Sequence, residues 1–173
     1  MSNLGKQRIL EALHALADEL ERREIKGQLF VVGGAAMALA YSSRRSTRDV
    51  DAIFEPKTAI YDAARAIAER EGLPDDWLSD AVKGFAPGDD PDRRVIFTDP
   101  ALEVAVASPK YLLAMKLLAS RVDQDVEDIR ALYEMSGFTT AEEGVALMER
   151  LYPTRPVAAK TRFLLEELFG PTG

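Results

Sequence analysis

The 173-residue sequence contains no cysteine and one histidine, His14. The absence of cysteine excludes disulfides, thiol nucleophiles and zinc sites that use cysteine ligands. With a single imidazole, a Ser-His-Asp triad, a metal site with a histidine ligand and a histidine general base would each depend on His14. His14 lies in the N-terminal amphipathic segment, far in sequence from the candidate catalytic residues, so we assign it no catalytic role.

Long apolar runs and an excess of basic charge are also lacking. No stretch approaches the ~18 to 20 apolar residues of a membrane span, and the N-terminus has no signal-peptide pattern. We therefore expect a cytoplasmic protein without membrane contact. The formal charge of -7, from 29 acidic and 22 basic residues, excludes a protein that binds nucleic acid through a generally positive surface. Any nucleic-acid contact must be local.

The remaining composition, 47% hydrophobic and 29% charged, is typical of a globular protein that needs no disulfide to hold its core. Apolar periodicity predicts helices over residues 4–23, 35–41, 57–71 and 77–82, and strands over 29–32, 49–54, 94–98 and 102–107. Four further helices are predicted after Ser108. We expect an α+β fold: a small mixed sheet with flanking helices over residues 1–107, then a helical lobe over 108–173.

Two aspartates, Asp49 and Asp51, alternate with the apolar residues Val50, Ala52 and Phe54. Side chains at positions i and i+2 of a strand project from the same face. On a partly buried strand, two unpaired carboxylates would be costly unless a cation compensates them, and hard oxygen ligands suit Mg²⁺. The pattern predicts a divalent metal site.

An Asp-x-Asp pair alone is weak evidence, since 14 aspartates in this chain give roughly one such pair by chance. Two other pairs occur. Asp90 and Asp92 lie in a loop rich in proline and glycine, whereas Asp123 and Asp125 lie at a helix start, where acidic residues are favoured. Neither of these pairs is predicted to bind metal.

A glycine pair, Gly33-Gly34, follows the apolar strand 29–32 and precedes a helix. Exposed backbone N–H groups at such a turn can bind phosphate oxygens, and glycine allows close approach of the phosphate. Val32-Gly33-Gly34 and the run from Arg45 to Asp51 resemble the nucleotidyltransferase superfamily with the polymerase-β-like core.

The downstream run from Ser108 to Leu117, followed by Arg121, Asp125 and Asp128, narrows the resemblance. It is similar to the AbiEii/MenT-like toxins, the nucleotidyltransferase halves of bacterial type IV toxin–antitoxin systems, including the small DUF6036-type group. The resemblance spans residues 29–132.

By position, the resemblance implies a role for each of several residues. Asp49 and Asp51 would hold Mg²⁺ or Mn²⁺, with Glu103 as the candidate third carboxylate. Gly33, Gly34, Arg48, Lys116 and Arg121 would bind the nucleotide. Lys116 and Asp128 would join the catalytic group, with Asp125 and Asp128 able to orient Lys116 or Arg121. The arginines before the acidic strand, Arg44 and Arg45, would suit an RNA end.

The implied reaction is attack by an RNA 3′ end, tRNA by resemblance, on the α-phosphate of a nucleoside triphosphate. Such a protein would be a growth-inhibiting toxin restrained by an antitoxin protein. Two alternatives remain open: nucleotide transfer to a protein hydroxyl, as in minimal nucleotidyltransferase antitoxins, and a catalytically silent binding domain. An antibiotic-modifying transferase is disfavoured by the small size of the chain. Thr47, beside the acidic strand, is a hypothetical phosphorylation switch, because added negative charge would compete with the nucleotide.

Overall fold

The computed structural model describes residues 3–42, 45–119 and 121–170. The chain divides into two compact units, one formed by Met1–Gly84 with Asp92–Ala107 and the other by Phe85–Pro91 with Ser108–Gly173. Within the described ranges, no helix is long and apolar enough to span a bilayer.

The first unit is built on a five-stranded mixed sheet. Its elements are β1 (Leu4–Gly5), α1 (Lys6–Arg22), β2 (Gly27–Val32), α2 (Gly33–Ala36) with a π-helical continuation (Met37–Tyr41), β3 (Ser46–Thr47), β4 (Val50–Glu55), α3 (Lys57–Glu71), β5 (Leu78–Ser79), a 3₁₀ turn (Ala81–Gly84), β6 (Arg94–Thr98) and β7 (Leu102–Val106). The strand order is β5-β4-β2-β7-β6, and β1 pairs with β3 in a separate ribbon. β2 runs antiparallel to β4 and parallel to β7.

Burial follows the alternation that the sequence predicts for β4. Val50, Ala52 and Phe54 are buried, whereas Asp51 and Ile53 on the opposite face are half-buried. The apolar stripes of α1 and α3 pack against each other and are fully buried at Ile9, Leu13, Leu16, Leu20, Ile60 and Ile67. Each such side chain contributes roughly 1.5–3 kcal/mol on burial. One face of β4 therefore packs in the core, and the face that carries Asp51 stays partly accessible to solvent.

The predicted helix over residues 77–82 is wrong. The chain there forms β5 and a 3₁₀ turn, because the backbone N–H of Val50 donates to the carbonyl of Trp77 at 2.6 Å and draws this segment onto the edge of the sheet. The Trp77 indole is fully buried and donates to the carbonyl of Ala64 at 3.0 Å. The predicted strands 94–98 and 102–107 form β6 and β7, which pair antiparallel.

Four helices make up most of the second unit: α4 (Pro109–Ala119), α5 (Val122–Met135), α6 (Ala141–Leu151) and α7 (Ala159–Phe169). α4 packs on α5 and α6, and α6 packs on α7. Thr140 and Glu143 form a capping box at the start of α6. The segment 85–91 joins this unit because the Asp90 carboxylate accepts hydrogen bonds from the Ser108 backbone N–H at 2.7 Å and hydroxyl at 2.9 Å. A mixed sheet with flanking helices and a helical unit confirms the α+β class.

Gly144 of α6 supports a tight helix contact. The Tyr133 ring stacks on Phe169 with centroids 3.7 Å apart, and its hydroxyl donates to the Thr140 carbonyl at 3.0 Å. A Cβ on residue 144 would lie 2.2 Å from the Tyr133 hydroxyl oxygen. We expect Gly144→Ala to cost about 2 kcal/mol and lower the melting temperature by roughly 4–8 °C in circular-dichroism melts. Gly88→Ala, whose Cβ would meet nothing within 4 Å, is the control, and equal melts for both variants would contradict this account.

Candidate functional site

The paired aspartates lie beside the Gly-Gly turn. Asp49 occupies the bend before β4, and Asp51 is paired with Val32 at the end of β2, so the next residue, Gly33, is adjacent. A Cβ on Gly33 would lie 3.6 Å from Oδ2 of Asp51. Gly33 also has φ +63°, a left-handed conformation that favours glycine. Sheet pairing therefore brings together the two motifs that the sequence analysis singled out.

The two carboxylates share an environment that opposes negative charge. Burial, and then the charge of Asp49, raise the pKa of Asp51 to about 6. Burial raises the pKa of Asp49, the Asp76 carboxylate raises it further, and the neighbouring Arg48 partly offsets this rise. A bound divalent cation would supply the missing positive charge, so the donor set fits Mg²⁺ or Mn²⁺.

Thr47 links the turn to the acidic strand. Its hydroxyl donates to the backbone carbonyl of Asp49 at 3.1 Å. A Cβ on Gly34 would lie 3.1 Å from Oγ1 and 3.3 Å from Cβ of Thr47. Only a residue without a side chain permits this close approach with the surroundings unchanged. Glycine at position 34 is therefore explained by its contact with Thr47.

The basic loop is described in part. Arg48 is exposed and next to Asp49, while Arg45 is half-buried, with its backbone N–H donating to the carbonyl of Ser42. Arg44, predicted to bind RNA, lies outside the described residues. Two of the three arginines are thus placed on the segment that leads directly into the aspartate pair.

The prediction of Glu103 as a third ligand at the same metal is corrected by the strand register. Glu103 pairs with Gln28 of β2, whereas Asp51 pairs with Val32 of the same strand. Four residues of strand separate these positions by about 13 Å along β2. Glu103 therefore belongs to the opposite end of the sheet and cannot join Asp49 and Asp51 at one ion.

Among the residues that the structure describes, no three His, Cys, Asp or Glu side chains form a metal-binding group. An ion held by Asp49 and Asp51 would take its other ligands from water and from substrate phosphates. This is the usual manner of Mg²⁺, which keeps several waters and binds through one or two carboxylates.

A second polar cluster lies between α4 and α5, in the other unit. The Lys116 ammonium is 3.0 Å from Oδ1 of Asp125 and 3.0 Å from Oδ2 of Asp128. The side chains of these three residues are only 11%, 4% and 11% exposed, respectively. Arg121, 65% exposed, places Nε 3.5 Å from Oδ2 of Asp125. The structure therefore brings together four residues that the downstream motif named, and the ammonium of Lys116 already has two carboxylate partners.

Asp76 is a charged neighbour of the site that sequence reasoning missed. It immediately precedes Trp77, whose carbonyl accepts from Val50, and its carboxylate acts on Asp49. The Asp75-Asp76 pair reads as an ordinary turn in the sequence. Only correct recognition of β5 as a strand beside β4 could have placed Asp76 near the pair.

The chain resembles nucleotidyltransferase-like proteins in both sequence and structure. Residues 8–135 match a family described as nucleotidyltransferase of unknown function (DUF6036). The chain is also similar to an antigenic nucleotidyltransferase-like protein from Paracoccidioides brasiliensis, known from a crystal structure. That similarity has 15% sequence identity and a TM-score of 0.47, and covers 98% of this chain and 100% of the other. No curated protein matches the chain.

Proposed function

The chain belongs to the DUF6036 family of nucleotidyltransferases, and we propose that it transfers a nucleoside monophosphate from a nucleoside triphosphate to an RNA 3′ end in a Mg²⁺-dependent reaction. The observation that carries this proposal is the pair of half-buried carboxylates, Asp49 and Asp51, beside the left-handed Gly33. Outside a cation-dependent role, this placement of two like charges would only destabilise the fold.

In the proposed reaction, the 3′-hydroxyl oxygen of the acceptor forms a bond to the α-phosphorus. The bond from that phosphorus to the bridging oxygen of the β-phosphate breaks, pyrophosphate leaves, and the hydroxyl proton passes to solvent. When bound, Mg²⁺ or Mn²⁺ would supply activation of the attacking oxygen and neutralisation of the charge on the pyrophosphate. Asp49 and Asp51 would hold the ion, and the Gly33-Gly34 turn would admit the triphosphate next to them.

The basic residues divide into two groups in this proposal. Arg48, exposed and next to Asp49, would receive the triphosphate, and Arg44 and Arg45 would receive the RNA backbone. Nucleotide contacts by Lys116 and Arg121 stay predictions. Because two carboxylates already neutralise the Lys116 ammonium, any phosphate there must compete with Asp125 and Asp128.

The finer biological role follows from the resemblance of residues 108–128 to the AbiEii/MenT-like toxins. We propose that the acceptor is tRNA and that the modification inhibits growth until an antitoxin protein restrains the enzyme. A catalytically silent nucleotide-binding domain is the second candidate, favoured by one observation: within the described part of the chain, no third carboxylate joins Asp49 and Asp51.

The test incubates the protein with each α-labelled nucleoside triphosphate, Mg²⁺ and total bacterial RNA, and follows the label. Asp49→Ala is the inactive variant, and Asp75→Ala, which removes an exposed aspartate in a turn, is the matched control. Label on small RNA with the wild type and Asp75→Ala, but not with Asp49→Ala, would support the proposal. Label on protein would instead support modification of a protein hydroxyl, and nucleotide binding without any label would support the silent domain.

Two glycines with the same left-handed backbone conformation allow an effect on activity to be distinguished from an effect on stability. Gly33 and Gly72 have φ +63° and +67°, so an alanine at either costs roughly 1–2 kcal/mol. At Gly33 the new methyl would also contact Asp51, whereas at Gly72 it would meet nothing within 4 Å. We expect Gly33→Ala and Gly72→Ala to have similar melting temperatures, but only Gly33→Ala to lose transfer activity, by about tenfold or more. Equal activities would remove the turn from the proposed site.

A further inference from the structure

Thr47 contacts both halves of the proposed site. Its hydroxyl donates to the Asp49 carbonyl at 3.1 Å, across a bend of which Arg48 is the only intervening residue. Its Oγ1 and Cβ face the open side of Gly34, where an added Cβ would lie 3.1 and 3.3 Å away. Thr47 therefore contacts both the Gly-Gly turn and the residue that begins the aspartate pair.

The backbone of Thr47 is itself held from outside the five-stranded sheet. Thr47 pairs with Leu4 and Ser46 pairs with Gly5, which forms the ribbon of β3 and β1. Leu4 is 4% exposed, and α1 begins directly after Gly5. On the other side of the bend, Val50 is held by the carbonyl of Trp77. Asp49 thus lies between two anchored points, and the Thr47 hydroxyl closes the short span between them.

We propose that Thr47 is a positioning residue for nucleotide transfer: its hydroxyl fixes the bend that carries Asp49, and its packing on Gly34 fixes the turn relative to the aspartates. This assignment rests on the proposed function. The reason to expect a catalytic consequence is that a misplacement of about 1 Å in a reacting constellation can cost about 100-fold in rate. Sequence reasoning considered Thr47 only as a phosphorylation site.

The test compares Thr47→Val, which keeps the shape and removes the hydroxyl, with Thr47→Ser, which keeps the hydroxyl. We expect Thr47→Val to lower kcat by about 10- to 100-fold with KM for the nucleotide within about threefold, and Thr47→Ser to retain kcat within about threefold. Thr98→Val makes the same hydroxyl-to-methyl change on an exposed residue of β6 and should retain full activity. Melting temperatures of all three variants are measured alongside.

Two readouts do not depend on turnover. Titration with Mn²⁺ alone, followed by electron paramagnetic resonance, should show weaker binding in Thr47→Val than in wild type, Thr47→Ser and Thr98→Val. Hydrogen exchange over residues 45–51 should be faster in Thr47→Val. A residue with only a structural role would lower the melting temperature without this dependence on the hydroxyl.

A double-mutant cycle tests the contact with the turn. Gly34→Ala should lower kcat because its methyl would lie 3.1 Å from Oγ1 of Thr47, and Thr47→Ala removes that atom, so the combined Gly34→Ala/Thr47→Ala loss should be smaller than the product of the single losses. Multiplicative losses, or an unchanged kcat and Mn²⁺ affinity in Thr47→Val, would overturn the positioning role while the proposed function stands. A wild type that neither transfers nucleotide nor binds Mn²⁺ would overturn both.

Discussion

Replacing Asp51 with asparagine is expected to stabilise the metal-free protein while it abolishes nucleotide transfer. The pKa of Asp51 is raised to about 6, so at pH 8 its charged form is disfavoured by burial and by Asp49. Asparagine keeps the shape and removes the charge. Because the side chain is only partly buried, solvent screening reduces the gain to about 1 kcal/mol, or roughly 2–4 °C in melting temperature.

Transfer activity should move in the opposite direction. An amide is a much weaker ligand for Mg²⁺ than a carboxylate, and metal stabilisation of the transition state is worth several kcal/mol, so Asp51→Asn should lower kcat/KM by about 1,000-fold or more. Addition of Mg²⁺ or Mn²⁺ should raise the melting temperature of the wild type and leave that of Asp51→Asn unchanged.

The stability difference should also depend on pH, and its sign follows from the raised pKa. The folded state binds the Asp51 proton more tightly than the unfolded state, so the destabilisation is fully present above pH 6 and fades as pH falls through about 6 toward 3.8. Melts in EDTA should show the largest advantage of Asp51→Asn at pH 8 and little at pH 4. Asp75→Asn, a change at an exposed aspartate, should shift the melting temperature by less than about 2 °C. A destabilised Asp51→Asn, or an advantage that does not change with pH, would contradict this reading of the site.

Replacing Lys116 with methionine is expected to cause the largest loss of stability. The substitution leaves Asp125 and Asp128 next to each other, with side chains only 4% and 11% exposed and without the ammonium 3.0 Å from each. Removing one partner of a buried ion pair costs about 3–5 kcal/mol, which corresponds to a fall of roughly 6–20 °C in melting temperature. Nε of Arg121 remains 3.5 Å from Oδ2 of Asp125, but the Arg121 side chain is 65% exposed, so it offsets only part of the lost charge.

Two controls separate charge from packing in this cluster. The triple variant Lys116→Met/Asp125→Asn/Asp128→Asn carries no buried charge at these three positions and leaves only the exposed Arg121 without its partner, so it should recover much of the lost stability. Lys160→Met removes an exposed lysine from α7 and should change the free energy of unfolding by less than about 0.5 kcal/mol. If Lys116→Met is as stable as the wild type, the cluster is not the ionic support that its geometry indicates. Loss of activity in Lys116→Met would demonstrate nucleotide contact only at temperatures where the variant is fully folded.

Local sequence patterns determined two of the helices, the buried face of β4 and the motifs that indicate the family. The three- and four-residue apolar steps of α1 and α3 predict both helices, because a helix encodes its buried face within its own segment. The alternation of Val50 and Asp51 likewise predicts which side chains of β4 are buried. The Gly33-Gly34 and Asp49-Asp51 motifs are sufficient to indicate a nucleotidyltransferase family, which the match over residues 8–135 shows.

Only the tertiary structure decided how these segments register against one another. Glu103 fits the strand alternation expected of a ligand, yet its pairing with Gln28 places it at the far end of the sheet from Asp51. Trp77 fits a short helix, yet the hydrogen bond from Val50 makes its segment part of the sheet edge and places Asp76 where its charge raises the pKa of Asp49. Periodicity records which face a residue occupies but carries no information about its partner on the next strand, since register is set by non-local packing and turn geometry. The sequence by itself therefore determined the motifs and their faces, and the sheet register decided which of them form one site.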